Sequence, residues 1–549
     1  MHQHNTFFKF FLIAFFLLSA IATNAAEYYF YVQFVDKNDS PYSLDRPLEF
    51  LSQRAVDRRA FFNVLLDETD LPVNPAYLSA LENVNARIYA RSKWLNGATI
   101  AVEDSVAVMP QVRALNFVQW VEYTGESVSG LFSAPQKTQQ ETQETTYGNA
   151  YDQINQLNGL YLHNAGYRGE DTHIAVIDAG FKNVSIDTAF DSLRQENRLL
   201  GTKDFVNPTP TSDVYNEHSH GAKVLSTMAA NVPNRYIGTA PKASYWLLRT
   251  EKDGTEYRVE PDLWISAVEF ADSAGVDVIN TSLGYSEFDD SSMNFTYTDM
   301  NGETVRASIA ATIAARKGMI IVVSAGNEGN KAWKYITAPA DAKDIITVGA
   351  VAENGTVGNF SSFGASADGR VKPEVSARGV SAWTTDTNGN FATGNGTSFA
   401  SPIMAGAMAC LLQAVKENNI SIDLPALFDA VFRSADQYNA TTIDNQRGYG
   451  IPDFRVAWES LNGTNGTNES VTVSNNFTIN NLNNNIIVYS DKIIQNAVVR
   501  VFSSTGKLVA SVSLTEKKTI IAINHAMEGI MLVNTVTPEG NFTKKIIFQ

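Results

Sequence analysis

Four short runs of this 549-residue chain carry side chains whose types and surroundings could do chemistry. Asp178 closes the apolar stretch Ile174-Ala175-Val176-Ile177 and is followed by Ala179-Gly180. A carboxylate at a strand's carboxyl end is held on rigid structure, and in open parallel sheets ligands gather at those ends. Taken alone, such an Asp is common in α/β proteins. Of seven histidines, His2 and His4 fall in the leader and His525 in a strand-rich C-terminal region. His163, His173, His218 and His220 remain as bases. His220 precedes Gly221 and a helical run from Ala222 to Ala230, so its ring can lie along the strand ends. The pair His218-x-His220 could ligate a metal instead. No cysteine or further histidine lies near enough in sequence to complete a zinc set, so His218 reads as a neighbour of the site.

The third run is Gly396-Thr397-Ser398-Phe399-Ala400-Ser401-Pro402, ahead of an apolar helix expected over Ile403–Val415 with Pro402 in its first turn. A hydroxyl at a helix start meets unpaired backbone N–H groups that favour developing negative charge. It could equally serve only as a helix cap. The fourth run is Ala325-Gly326-Asn327-Glu328-Gly329, which follows an expected strand. The Asn327 amide and the Ser398 N–H could together hold an oxyanion. A G-x-S-x-G elbow of the lipase type is absent around Ser398.

These groups need a scaffold, and the chain divides into regions that supply one. Residues 1–25 hold Lys9, an apolar run from Phe10 to Ala22 and the small residues Thr23 and Ala25. That run is shorter than the roughly 20 residues of a membrane span, and it reads as a cleaved secretory signal. Residues 27–130 suggest the order β-α-β-β-α-β, a ferredoxin-like α+β unit. Its pieces are Tyr28–Phe34, Asn74–Leu81, a hairpin over Arg87–Val102, Asp104–Leu115 and Phe117–Tyr123. The polar stretch within 131–146 reads as an exposed linker open to proteolysis. In residues 147–460, apolar strands alternate with helical segments such as Pro261–Ala274 and Val305–Lys317, implying a doubly wound, mostly parallel sheet. A Gly-Thr-Asn linker over 461–470 leads to short alternating strands over 471–549, which suit an all-β sandwich.

The formal charge of −16 argues against nucleic acid as a partner, which needs a basic footprint. The single cysteine, Cys410, sits in an apolar run and reads as a buried structural thiol.

The pieces VIDAG, HGA, SAGNEG and GTSFASP occur in the order Asp, His, Asn, Ser, and in this they resemble the subtilisin-like serine peptidases. The likeness covers residues 147–460. It implies that Ser398 is the nucleophile, His220 the general base and Asp178 its orienting carboxylate, with Asn327 in the oxyanion hole. It implies substrate binding by Ser282, Leu283 and Gly284 and by Ala325 and Gly326, with the stretch before Ala338-Pro339 shaping the base of the pocket. Two positions depart from the family pattern: Ala222 stands in place of Thr, and Arg378 in place of Pro.

Residues 27–130 resemble the family's propeptides, which makes the chain a zymogen and its own propeptide a partner beside protein substrates. Residues 471–549 resemble the C-terminal sorting domain of the type IX secretion system. That implies a Bacteroidota-like bacterium, export across both membranes by the secretion machinery, and a secreted or surface location. A monomer is expected. The resemblance implies no cofactor for catalysis; structural Ca2+ is common in the family, but no acidic loop has the spacing of a site, so metal stays unassigned. The rival reading is a catalytically idle binding or adhesion protein on the same scaffold.

Overall fold

The computed structural model describes residues 26–127, 146–209 and 211–463, and the strands between 471 and 548. The middle of the chain builds one seven-stranded sheet. In spatial order its strands are Val375–Arg378, Ile346–Val351, Ile320–Ser324, Val278–Thr281, His173–Asp178, Ser244–Arg249 and Leu199–Asp204, all parallel. They read as continuous apolar runs because both faces are covered. The side chains still divide with period two. Ile174 and Val176 share a core with residues of helices His220–Ala229 and Thr397–Glu417. Ala175 and Ile177 share the other core with Val259–Ala274 and Arg306–Arg316. From His173–Asp178 the chain first builds towards Leu199–Asp204, then crosses to Val278–Thr281 on the other side. A crevice at the carboxyl ends of these strands follows from that reversal.

One expectation needs correction. The helix expected over Ile403–Val415 runs from Thr397 to Glu417, so Ser398 lies inside its first turn and Pro402 a turn and a half in. Proline has no N–H to give the carbonyl four residues back. That carbonyl belongs to Ser398, and the Ser282 hydroxyl donates to it instead, at 2.9 Å. Among the described residues this is the one helix long and apolar enough to cross a membrane, and it is wholly buried in the core.

The N-terminal unit is a four-stranded antiparallel sheet ordered Arg87–Ser92, Gly97–Val102, Tyr28–Phe34, Val118–Glu126. Helices Pro75–Asn83 and Ser105–Arg113 cover one face, where Leu81, Val108 and Val112 meet Val32 and Ile100. The other face lies on helix Val259–Ala274. There Tyr29 and Ala101 pack with Val259, the Thr99 hydroxyl donates to Asp262 at 2.8 Å, and Glu269 accepts from the Ser92 hydroxyl and the N–H groups of Lys93 and Trp94.

A further helix, Gln53–Phe61, was not anticipated. It sits against the amino ends of the central strands, at the edge opposite the crevice. Arg54 pairs with Asp277 and donates to the carbonyls of Asp171 and Gly275. Arg58, Arg59 and Lys93 converge on the Asp272 carboxylate at 2.5, 3.0 and 2.8 Å.

The C-terminal region holds two four-stranded sheets, Val471–Ser474, Phe477–Leu482, Asn485–Ser490, Lys518–Ala522 and Leu508–Ser513, Val498–Ser503, Gly529–Thr537, Gly540–Phe548. Ile486, Val488 and Ile521 from the first share a core with Val499, Val501 and Val533 from the second. The leader 1–25, positions 131–145 of the first linker, 464–470 of the second, and Thr505, Gly506, Lys507 and Glu528 lie outside the described residues.

Candidate active site

Asp178 is the last residue of its strand and fully buried. Its Oδ1 accepts the N–H of Ala179 at 2.8 Å, and its carbonyl accepts that of Thr250 at 3.2 Å, so the carboxylate cannot swing. His220 opens its helix and turns Nδ1 onto both carboxylate oxygens, at 2.8 and 3.0 Å. Gly221 permits this approach: a Cβ there would stand 2.5 Å from the Gly180 carbonyl and 2.9 Å from the Asp178 Cβ. Burial draws the His220 imidazole down, but the Asp178 charge and hydrogen bond outweigh it and leave the ring above the ordinary histidine value. With Nδ1 engaged, Nε2 is the nitrogen left to exchange a proton. The Phe399 ring, next to Ser398, lies 6.1 Å from the His220 ring.

Ser398 is 8% exposed, at the start of the buried helix. Gly396 occupies the cap position, and it is the Asn327 side chain rather than Ser398 that takes the first N–H of the helix, so the capping reading of Ser398 is set aside. The neighbouring segments are bolted to this turn. Asn327 Oδ1 accepts both the N–H and the hydroxyl of Thr397, at 2.9 and 3.1 Å, which leaves Nδ2 as the amide end for a ligand. The Gly326 N–H donates to the Thr397 hydroxyl at 3.2 Å. Ser282 holds the Ser398 carbonyl and accepts from Asn280, whose Oδ1 takes the Ser401 hydroxyl. Asn280 and Ser282 thus act as struts, a role their motif did not reveal.

The other histidines are placed elsewhere. His218 Nδ1 accepts the N–H of His220 at 3.2 Å, and burial followed by the His220 charge lowers its own pKa. His163 is buried between Tyr147 and the Thr239 carbonyl, with burial pulling it to about 4. His173 begins its strand, at the far edge of the sheet from Asp178. Cys410 is buried with its thiol on the Thr239 carbonyl at 3.1 Å. The two departures are also accommodated: Ala222 is fully buried in the apolar core, and Arg378 Nε reaches the Val380 carbonyl at 2.7 Å.

Beside Asp178 opens a cavity of about 420 Å³ whose lining includes Ala179, His218, Glu251, Glu256, Leu283 and Gly284. Sequence reading missed its acidic wall, because Glu251, Glu256 and Glu260 straddle a loop and a helix start with no recurring period. Their carboxylates approach within 4.8 Å of one another. Burial raises Glu251 to about 7, with the Asp178 charge adding to it. Burial, then the Glu251 and Asp289 charges, raise Glu256 to about 9.

Residues 169–450 match the subtilase family, Peptidase S8, and residues 29–145 match the Peptidase S8 propeptide domain of Bacteroidota. Subtilisin NAT of Bacillus subtilis subsp. natto is 31% identical over 304 residues, covering 54% of this chain and 68% of its own length. Subtilisin E of Bacillus subtilis (strain 168) gives the same figures. A solved structure of the prenylagaramide maturation protease PagA aligns with TM-score 0.44 and 21% identity, over 56% of this chain and 98% of that one. By the family match over residues 169–450 and the likeness to the two subtilisins, the chain belongs to the subtilase family of serine peptidases, and it carries a Bacteroidota-type S8 propeptide domain.

Proposed function

We propose that the chain is a secreted serine endopeptidase, made as a zymogen, that cleaves proteins through Ser398, His220 and Asp178. The observation carrying this reading is the His220 Nδ1 contact with the buried Asp178 carboxylate, beside the helix that carries Ser398 in its first turn. Ser398 Oγ attacks the scissile carbonyl while His220 Nε2 takes its proton, then returns it to the leaving amine. Asp178 stabilises the imidazolium. The carbonyl oxygen, now negative, takes hydrogen bonds from Asn327 Nδ2 and the Ser398 N–H, which in a helix's first turn has no carbonyl a turn before it. The substrate backbone runs along Ser282, Leu283 and Gly284 and along Ala325 and Gly326.

Fluorophosphonate labelling tests the reading, since only an activated serine reacts. Ser398 should take the label, and the rate should rise with pH as His220 loses its proton. Because the folded pKa is raised, the midpoint should lie above ~6.5. Asn327→Asp keeps the acceptor that holds Thr397 but gives up the donor, and it should slow labelling by on the order of 10²–10³. A label on any other residue, or none, would falsify the assignment.

The same proposal takes residues 27–130 as the inhibiting propeptide, 131–146 as the processing region and 471–549 as a type IX sorting domain removed on export. The peptidase domain proper spans 147–460. Terminal sequencing of protein recovered outside the cells should find a start within or just after 131–146 and an end before 471. A mature form still ending at Gln549 would overturn the sorting role.

A further inference from the structure

Thr337 is 4% exposed, and among the described residues its hydroxyl has no hydrogen-bond partner, a costly state for a buried polar group. The backbone around it is tightly strapped. Ala338 exchanges both bonds with Tyr285, at 2.8 and 3.1 Å, and the Ile336 N–H reaches the Phe363 carbonyl at 3.0 Å. The Ala340 N–H takes the carbonyl of Thr337 itself at 2.8 Å.

The orphan hydroxyl lies between the two segments that flank the reactive serine. A Cβ on Gly284 would stand 2.0 Å from Thr337 Oγ1, and one on Gly326 would stand 3.1 Å from the same atom. Both glycines are bare on the side where the threonine stands. Each segment is also tied to the Ser398 turn, one through Ser282 and the other through the Gly326 N–H. The two segments therefore flank the nucleophile, and the Thr337 side chain stands between them.

We propose that the space between these segments is a slot for the side chain of the residue donating the scissile carbonyl, and that Thr337 forms its shallow, polar floor, so that this side chain is short, serine above alanine and both above leucine or phenylalanine. The inference rests on the Ser398 reading above. A bulky ring would have to displace a side chain whose backbone is held on both sides, and close-packed sites resist such insertion. A serine hydroxyl fits the depth and supplies the partner that the Thr337 hydroxyl lacks.

The test compares kcat/KM for peptides that differ only at that residue, after fluorophosphonate titration has counted working serines. Serine and alanine should exceed phenylalanine by at least about tenfold, the scale on which pockets discriminate by size. Thr337→Gly should deepen the slot and shrink that ratio about tenfold. Thr337→Val, of the same shape, should keep the bias against phenylalanine but erase the preference for serine over alanine. A titratable enzyme that favours phenylalanine, or a Thr337→Gly ratio equal to wild type, overturns the inference alone. Absence of titratable serine overturns the catalytic reading beneath it. Should a variant fail to fold, the wild-type ratios decide.

Discussion

Ser398→Ala should lower kcat for peptide hydrolysis by on the order of 10⁶, the loss subtilisin itself suffers when its nucleophile is removed. The magnitude follows from division of labour rather than from one strong contact. Without the hydroxyl, His220 has no proton to accept, Asp178 has no imidazolium to stabilise, and the acyl intermediate cannot form. What survives is binding and the oxyanion donors, which in such enzymes still give roughly 10³–10⁴ over water. The same variant should stay uncut through 131–146, so its N-terminal sequence should begin before residue 131. Turnover at a wild-type rate by the purified variant, insensitive to fluorophosphonate, would end the assignment of Ser398.

Asp272→Ala should free the propeptide. Among the described residues, every side chain that bonds the Asp272 carboxylate comes from the propeptide: Arg58, Arg59 and Lys93. Burial alone would raise the Asp272 pKa, yet Lys93, Arg58 and Arg59 hold it well below the carboxylate range. A carboxyl depressed in the complex adds stability that is present above its unbound pKa and lost only as pH falls through the bound one, so mild acid leaves this contact intact. Removing one member of a buried ionic group costs about 3–5 kcal/mol, because its partners are left uncompensated. That corresponds to about 10²–10⁴ in affinity. After processing, the wild-type propeptide should co-elute with the peptidase on size exclusion, and the Asp272→Ala propeptide should separate. Arg59→Met, made on the other side of the interface, should act in the same direction. Unchanged co-elution in both variants would show that the network does not govern retention.

Much of this was legible from sequence where physics leaves a periodic or compositional trace. The buried strands announce themselves as unbroken apolar runs; Asp178, His220 and Ser398 sit at the end of one element or the start of another, and Asn327 lies three residues past a strand. The true start of the Ser398 helix was not legible, because Pro402 reads as a boundary and the compensating Ser282 hydroxyl comes from 116 residues away. Helix Gln53–Phe61 escaped for a different reason. Its buried residues are Ala55, Arg58 and Arg59, so the face it buries is largely charged and hydrophobic spacing has nothing to report. The stretch before Ala338-Pro339 was expected to shape the pocket's base, but nothing in the sequence singled out Thr337 within it. Its position matters only because two glycines from distant loops leave room for it.

The arginine-bearing helix has one more consequence. It grips the amino edge of a sheet in which the six-residue strand His173–Asp178 puts the cleft roughly 15–20 Å away. Cutting the linker therefore severs the tether without loosening this distant handhold. On the zymogen reading proposed above, cleavage and activation would be two events separated by a dwell time, and Arg54, Arg58 and Arg59 would help to set its length from outside the cleft. Such a fuse would let a protease be cut early and still remain harmless to the machinery that carries it.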